Sequence, residues 1–165
     1  MLHDATTAEC LVYTFREGLF AAVGHDLCLR VERFAVEVTG EPTSPSILAR
    51  FDAASLRATG AVSPADARKI ERDAADAVLA ARRFPTIEFR STRVVRDGDR
   101  ARIDGALTLH GATRTLAVDA VADADAWRAE VRLDQRDFGI KPFSAMLGTL
   151  RVRADVLVAI RVPRA

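Results

Sequence analysis

A chain of 165 residues has the length of one domain able to bury a substantial core, which excludes two large domains. Its 24 basic and 23 acidic residues leave a formal net charge of +1, so it lacks the electrostatic footprint of a general nucleic-acid or membrane-surface binder. With 49% hydrophobic and 28% charged residues the composition is that of a globular fold; 30 Ala and 22 Arg give it the bias of a GC-rich coding sequence.

The opening MLHDATTAEC has no basic stretch followed by an apolar one, and no apolar run exceeds the five residues of 19–23, too short to cross a bilayer. A cytoplasmic chain without an integral membrane segment is the expectation. His3 falls in this opening stretch and is expected to fray. Cys10 and Cys28 are too few for a disulfide framework and are not spaced as metal ligands, so both read as free thiols.

Alternation with period two then dominates, the mark of strands with one face in a core and the other in water. Eight strands are predicted, over residues 10–16, 20–38 (broken near Gly24), 47–55, 86–96, 100–110, 113–122, 126–134 and 149–162. Between the third and fourth comes one helix of roughly five turns, residues 64–83, with Ser63 as N-cap, Pro64 at the first helical position and Pro85 as the stop. Ile70, Ala74, Val78 and Ala81 form its apolar face. Asp97-Gly98-Asp99 and His110-Gly111-Ala112 supply the glycines that tight hairpins need, so neighbouring strands are expected to be antiparallel.

Eight up-and-down antiparallel strands lose their exposed edges by closing into a barrel, whose interior is either filled by side chains or holds one ligand. The fold class is therefore mainly β: an eight-stranded up-and-down barrel with one helix, a single domain over residues 1–165. On the inward parity, Phe51, Ile87, Phe89, Ile103, Leu107, Trp127 and Val131 alternate with Ala49, Ala101, Gly105, Ala129 and Ala154. Small groups there open an apolar channel, or merely fit a taper. Between Arg136 and Gly148 the alternation lapses into an apolar loop carrying Phe138, Ile140, Phe143, Met146 and Leu147, which is either a permanent cap or a gate.

Several segments in this order resemble the YceI-like family: Phe84-Pro85-Thr86-Ile87-Glu88-Phe89 after a helix, Gly105-Ala106-Leu107-Thr108-Leu109-His110-Gly111-Ala112-Thr113-Arg114 on a hairpin, Arg136-Asp137-Phe138-Gly139-Ile140 in the late loop, and a valine-rich last strand. The resemblance runs from about residue 15 to 162. It implies a lipocalin-like eight-stranded barrel whose interior, in some members, holds a long polyisoprenoid chain such as that of a quinone. Many members carry a secretion signal, which this chain does not show.

His25 beside Asp26 invites a catalytic reading, since a carboxylate orients an imidazole as general base. Adjacent strand residues point to opposite faces, however, so both reach one pocket only if Gly24 makes a bulge; otherwise the element is a turn in which Asp26 binds backbone amides. His110 reads as an exposed turn residue. His3, His25 and His110 are too dispersed for a metal site, and Cys28 has nothing nearby in sequence to lower its pKa. Outward arginines alternate with acids on a solvated face, and Arg114 is expected in solvent.

The leading expectation is a non-enzymatic carrier or sequestering protein for an apolar, polyisoprenoid-like lipid, requiring no cofactor or metal. The expected contacts are Phe51, Ile87, Phe89, Ile103, Gly105, Leu107, Trp127, Ala129, Val131, Phe138, Phe143 and Met146. A hydrolytic or transfer enzyme centred on His25 and Asp26 is the alternative. A packed barrel acting through its surface as a homodimer is the third.

Overall fold

The computed structural model describes residues 1–17, 26–145, 148 and 150–164. Among these, twelve strands form rather than eight: β1 (Leu2–Asp4), β2 (Glu9–Glu17), β3 (Leu27–Val31), β4 (Phe34–Glu41), β5 (Ser44–Asp52), β6 (Leu56–Ala58), β7 (Thr86–Asp97), β8 (Arg100–Leu109), β9 (Ala112–Ala122), β10 (Ala126–Asp134), β11 (Ser144–Ala145) and β12 (Leu150–Pro163). The four extra or divided strands are short. A three-residue strand holds too few periods for alternation to reveal, and the break between Val31 and Phe34 divides what periodicity joins into one strand.

All twelve belong to one antiparallel sheet in the order β1-β4-β5-β7-β8-β9-β10-β12-β2-β3-β6, with β11 paired only to β12. The sheet curls into a half-barrel rather than a closed eight-stranded barrel, because its two ends, β1 and β6, do not pair with each other. Polar bonds tie the corners beside that seam. Ser55, fully buried, accepts from the Arg33 amide at 3.1 Å and donates to Asp52 O at 2.8 Å, while its carbonyl accepts from Glu32 N at 3.0 Å. Burying these groups is tolerable only because they are bonded.

Turn chemistry sets the register. At the β8–β9 hairpin, Leu109 pairs with Ala112 and both turn residues take positive φ, His110 at 53° and Gly111 at 76°, the two-residue turn whose twist suits flanking strands. His110 is not the exposed turn residue expected from the sequence. It is half-buried, its ring 4.8 Å from that of Phe84 and its Nδ1 3.3 Å from Phe138 O. Those contacts hold a non-glycine residue in a left-handed conformation that costs free energy.

The helix α1 (Pro64–Arg72) starts as predicted, with the Ser63 hydroxyl accepting from Asp66 N at 3.1 Å. It is shorter than five turns and lies between β6 and β7. A π-helical turn, Asp73–Val78, follows it, and Ala80 then adopts φ 46°, ending the helix before Pro85. Ile70, Ala74, Val78 and Leu79 face the inside of the sheet, and Ala81 is buried.

Between Ser91 and Arg93 the β7–β8 register shifts by one residue. This bulge changes the parity of β7, so that Ile87 and Phe89 before it and Val94 and Arg96 after it all turn inward. Gly105 on β8 faces the Phe89 ring. A Cβ there would lie 2.4 Å from Phe89 Cζ and 2.6 Å from the Arg90 carbonyl oxygen, distances no real side chain tolerates. Replacing Gly105 with Ala is therefore expected to lower the unfolding free energy by about 1–3 kcal/mol, through overpacking. Urea denaturation measures this, and an unchanged midpoint would contradict the contact.

Candidate ligand-binding cavity

The inner face of the curled sheet encloses a cavity of about 750 Å³, to which every strand except β11 contributes. That volume lies within the range of sites for small apolar ligands. The register places the β4–β5, β7–β8 and β9–β10 turns and the end of β12 at one end of the cavity. Helix α1, the β8–β9 turn and the loop after β10 lie at the other.

The wall is apolar because inward parity is apolar on nearly every strand. Val12 on β2, Leu29 on β3, Val36 on β4, Val118 on β9 and Val158 and Ile160 on β12 continue the pattern around the sheet. Toward the first of these ends alanines meet across the strands: Ala101 pairs with Ala120, and Ala120 with Ala129. At the helix end Leu107, Leu109, Phe138 and Ile140 form a packed cluster. Residues of both groups line the cavity, which therefore runs from one end of the sheet toward the other.

Charged groups gather at the ends. At the mouth the ring of Trp127 lies beneath two guanidinium groups, Arg96 at 5.1 Å and Arg164 at 6.0 Å from its centroid. Arg164 also meets Asp99 at 2.7 Å and donates to Asp123 O at 3.1 Å. Asp123 closes the β9–β10 turn: its carboxylate accepts from Arg128 Nε at 2.7 Å and from the amides of Asp125 and Ala126 at 3.0 and 2.9 Å. The Arg128 bond first, and then the two amides, hold its carboxyl down at about 2. Deeper in, Cys10 is 2% exposed, and burial pushes its thiol up to about 12, with Glu9 adding to the effect. It stays a neutral thiol in the wall.

Nine of the residues expected to contact a ligand line the cavity: Phe51, Ile87, Phe89, Ile103, Leu107, Trp127, Ala129, Val131 and Phe143. Gly105 does not, because the Phe89 ring covers it. Phe138 does not either; at 3% exposure it is packed in a cluster with Leu107, Leu109 and Ile140. Met146 lies outside the described residues, as do Leu147, Gly24 and His25. Asp26 is exposed, and its carboxylate accepts from the Arg16 amide at 3.1 Å, the local backbone role open to it from the sequence. Among the described residues no three His, Cys, Asp or Glu side chains are placed to hold a metal ion, and no helix is long and apolar enough to cross a membrane.

Sequence reasoning missed His3 and Arg96. His3 does not fray: it sits on β1, paired with Val36, is 7% exposed and lines the cavity. Its strand is too short to show alternation, so no signal in the sequence marks it as inward. Arg96 reads as outward until the bulge is known.

A family model described as a YceI-like domain matches residues 16–163. No curated protein matches the sequence. Among solved structures, that of BcnA from Burkholderia cenocepacia aligns with a TM-score of 0.73 at 15% identity, covering 98% of this chain and 99% of that one. A polyisoprenoid binding domain from Saccharophagus degradans, implicated in plant cell wall breakdown, aligns with a TM-score of 0.62 at 11% identity, over 99% of this chain and 97% of that one. The YceI protein of Campylobacter jejuni gives 0.60 at 14% identity, over 79% and 80%. At such identities these likenesses establish a common fold.

The mouth carries a pH signature. Because the folded state holds the Asp123 carboxyl below its ordinary 3.8, the stabilisation it brings is complete above about pH 4 and is lost as the pH falls through about 2. Asp123→Asn keeps an acceptor for the two amides but does not titrate. Its acid unfolding curve is expected to be flatter than that of the wild type across this window, and superimposable curves would refute the assignment.

Proposed function

This chain belongs to the YceI-like family, and on that premise we propose that it binds one apolar lipid chain of polyisoprenoid type along the cavity, carrying or sequestering it without chemical change. The observation that carries this reading is the cavity itself: about 750 Å³ along the inner face of the curled sheet, lined mostly by inward Val, Leu, Ile, Phe and Ala, with its charges at the ends. A space of that kind is poor at holding water, which needs polar partners, and good at holding hydrocarbon. Desolvating the chain supplies roughly 25 cal/mol per Å² of apolar surface, less the cost of ordering it. The S. degradans domain, described as polyisoprenoid binding, supports the ligand class by likeness of fold.

A catalytic reading gains no support from the described residues. The Asp26 carboxylate is engaged by backbone and exposed, and the Cys10 thiol is held far from its thiolate form. A cavity that grips an unreactive chain along its length has no need of either.

Protein purified from its native host and extracted into organic solvent is expected to release about one isoprenoid lipid per chain, read by mass spectrometry. Lipid-free protein that also fails to take up added polyprenol would overturn the proposal. Ala129, on β10 between Ala120 and Ile160, offers a sharper test. Ala129→Phe places a ring in the cavity wall, and a clash of about 1.4 kcal/mol or more lowers polyprenol affinity about tenfold or further. Unaltered affinity in a folded variant would place the ligand outside the cavity.

A further inference from the structure

His3 is an imidazole in a hydrocarbon wall. Strand β1 turns Leu2 and Asp4 outward, where both are exposed, and His3 inward, where it is 7% exposed and lines the cavity. Among the described residues its ring makes no hydrogen bond, yet no buried side-chain nitrogen or oxygen is sealed off without a partner. Its nitrogens are therefore not sealed off, and the residue that carries them lines the cavity. An imidazole withdrawn from bulk water and left unbonded costs free energy that a leucine would not.

Its depth is informative. His3 pairs with Val36, Val36 with Ala49, Ala49 with Phe89, and Phe89 with Leu107, so its row runs into the apolar helix end and away from the charged one. Other polar groups in the wall are few. Gln135 donates its amide to Arg153 O at 3.1 Å, the Cys10 thiol is neutral and fully buried, and Thr14 adds one hydroxyl on β2. A bonding partner set in an apolar wall orients a ligand by an oxygen, as sparse polar groups do in apolar sites.

We propose that His3 hydrogen-bonds an oxygen of the bound lipid, so that the cavity selects an apolar chain bearing a hydroxyl or carbonyl over the corresponding hydrocarbon. This rests on the lipid-binding reading above and adds to it the chemistry by which the lipid is told apart from plain hydrocarbon. The imidazole donates from one nitrogen and accepts at the other, so it serves a hydroxyl in either role and a carbonyl as donor.

Two probes test it: farnesol, and the same fifteen-carbon chain ending in a methyl group in place of the alcohol. Wild-type protein is expected to bind farnesol the more tightly. His3→Leu is expected to weaken farnesol by about two- to tenfold, the worth of one hydrogen bond, and to leave the hydrocarbon unchanged. His3→Gln, which keeps a donor and an acceptor, recovers part of the loss. In ¹⁵N spectra the His3 ring nitrogens, assigned with the Gln variant, shift when wild-type protein takes up farnesol. That readout is independent of how well the Leu variant folds. An unchanged ratio of the two affinities in His3→Leu, or unmoved ring nitrogens, would overturn the assignment while leaving lipid binding intact. Failure of the wild type to bind either probe would overturn both.

Discussion

One extra residue in β7 keeps the interior in phase. Sheet parity repeats every two residues, so a strand that bends around a cavity over twelve positions must keep the same face inward through a change in direction, and Thr92 is where β7 makes that change. Thr92 anchors the shift by donating to Asp104 O at 3.2 Å, and Ser91 beside it accepts from the Ile47 amide at 2.8 Å. Without the shift, either Ile87 and Phe89 or Val94 and Arg96 would face solvent. The packed helix end depends on the first pair and the charged mouth on the second.

The small residues act through that register. Gly105 is opposite Ser91, next to the bulge, and its missing side chain is the space into which the Phe89 ring folds. The alanines act differently: Ala101, Ala120 and Ala129 stand beside one another across three strands, and all three line the cavity. Glycine thus makes room for a neighbouring ring, while alanine keeps the wall itself thin. The compositional bias that looks incidental in the sequence falls, at these positions, on the inner face.

Much of this was legible in advance because alternation is a strong signal when a strand is long. Eight of the twelve strands have eight or more residues, and their inward residues, from Phe51 to Val131, follow from parity alone. What parity cannot see is anything that interrupts it. Three-residue strands hide His3, a bulge hides Arg96, and the open seam between β1 and β6 hides the fact that the curl does not close into a barrel. Phe138 and Gly105 stay out of the cavity lining for a related reason: an apolar or small residue at the right parity can fill a wall from behind or be covered by a neighbour, and only the three-dimensional packing tells which. The helix was readable at its start, where Ser63 and Pro64 act locally, and less so at its end, where Ala80 leaves the helix without a glycine to announce it.

Trp127 is the single indole in the chain, and it stands in the cavity wall beneath Arg96 and Arg164. Every photon of tryptophan emission from this protein therefore originates at the mouth. Its colour and yield follow the polarity beside one ring and the nearness of two fixed cations. The molecule carries its own optical reporter, sited at the charged end of the cavity.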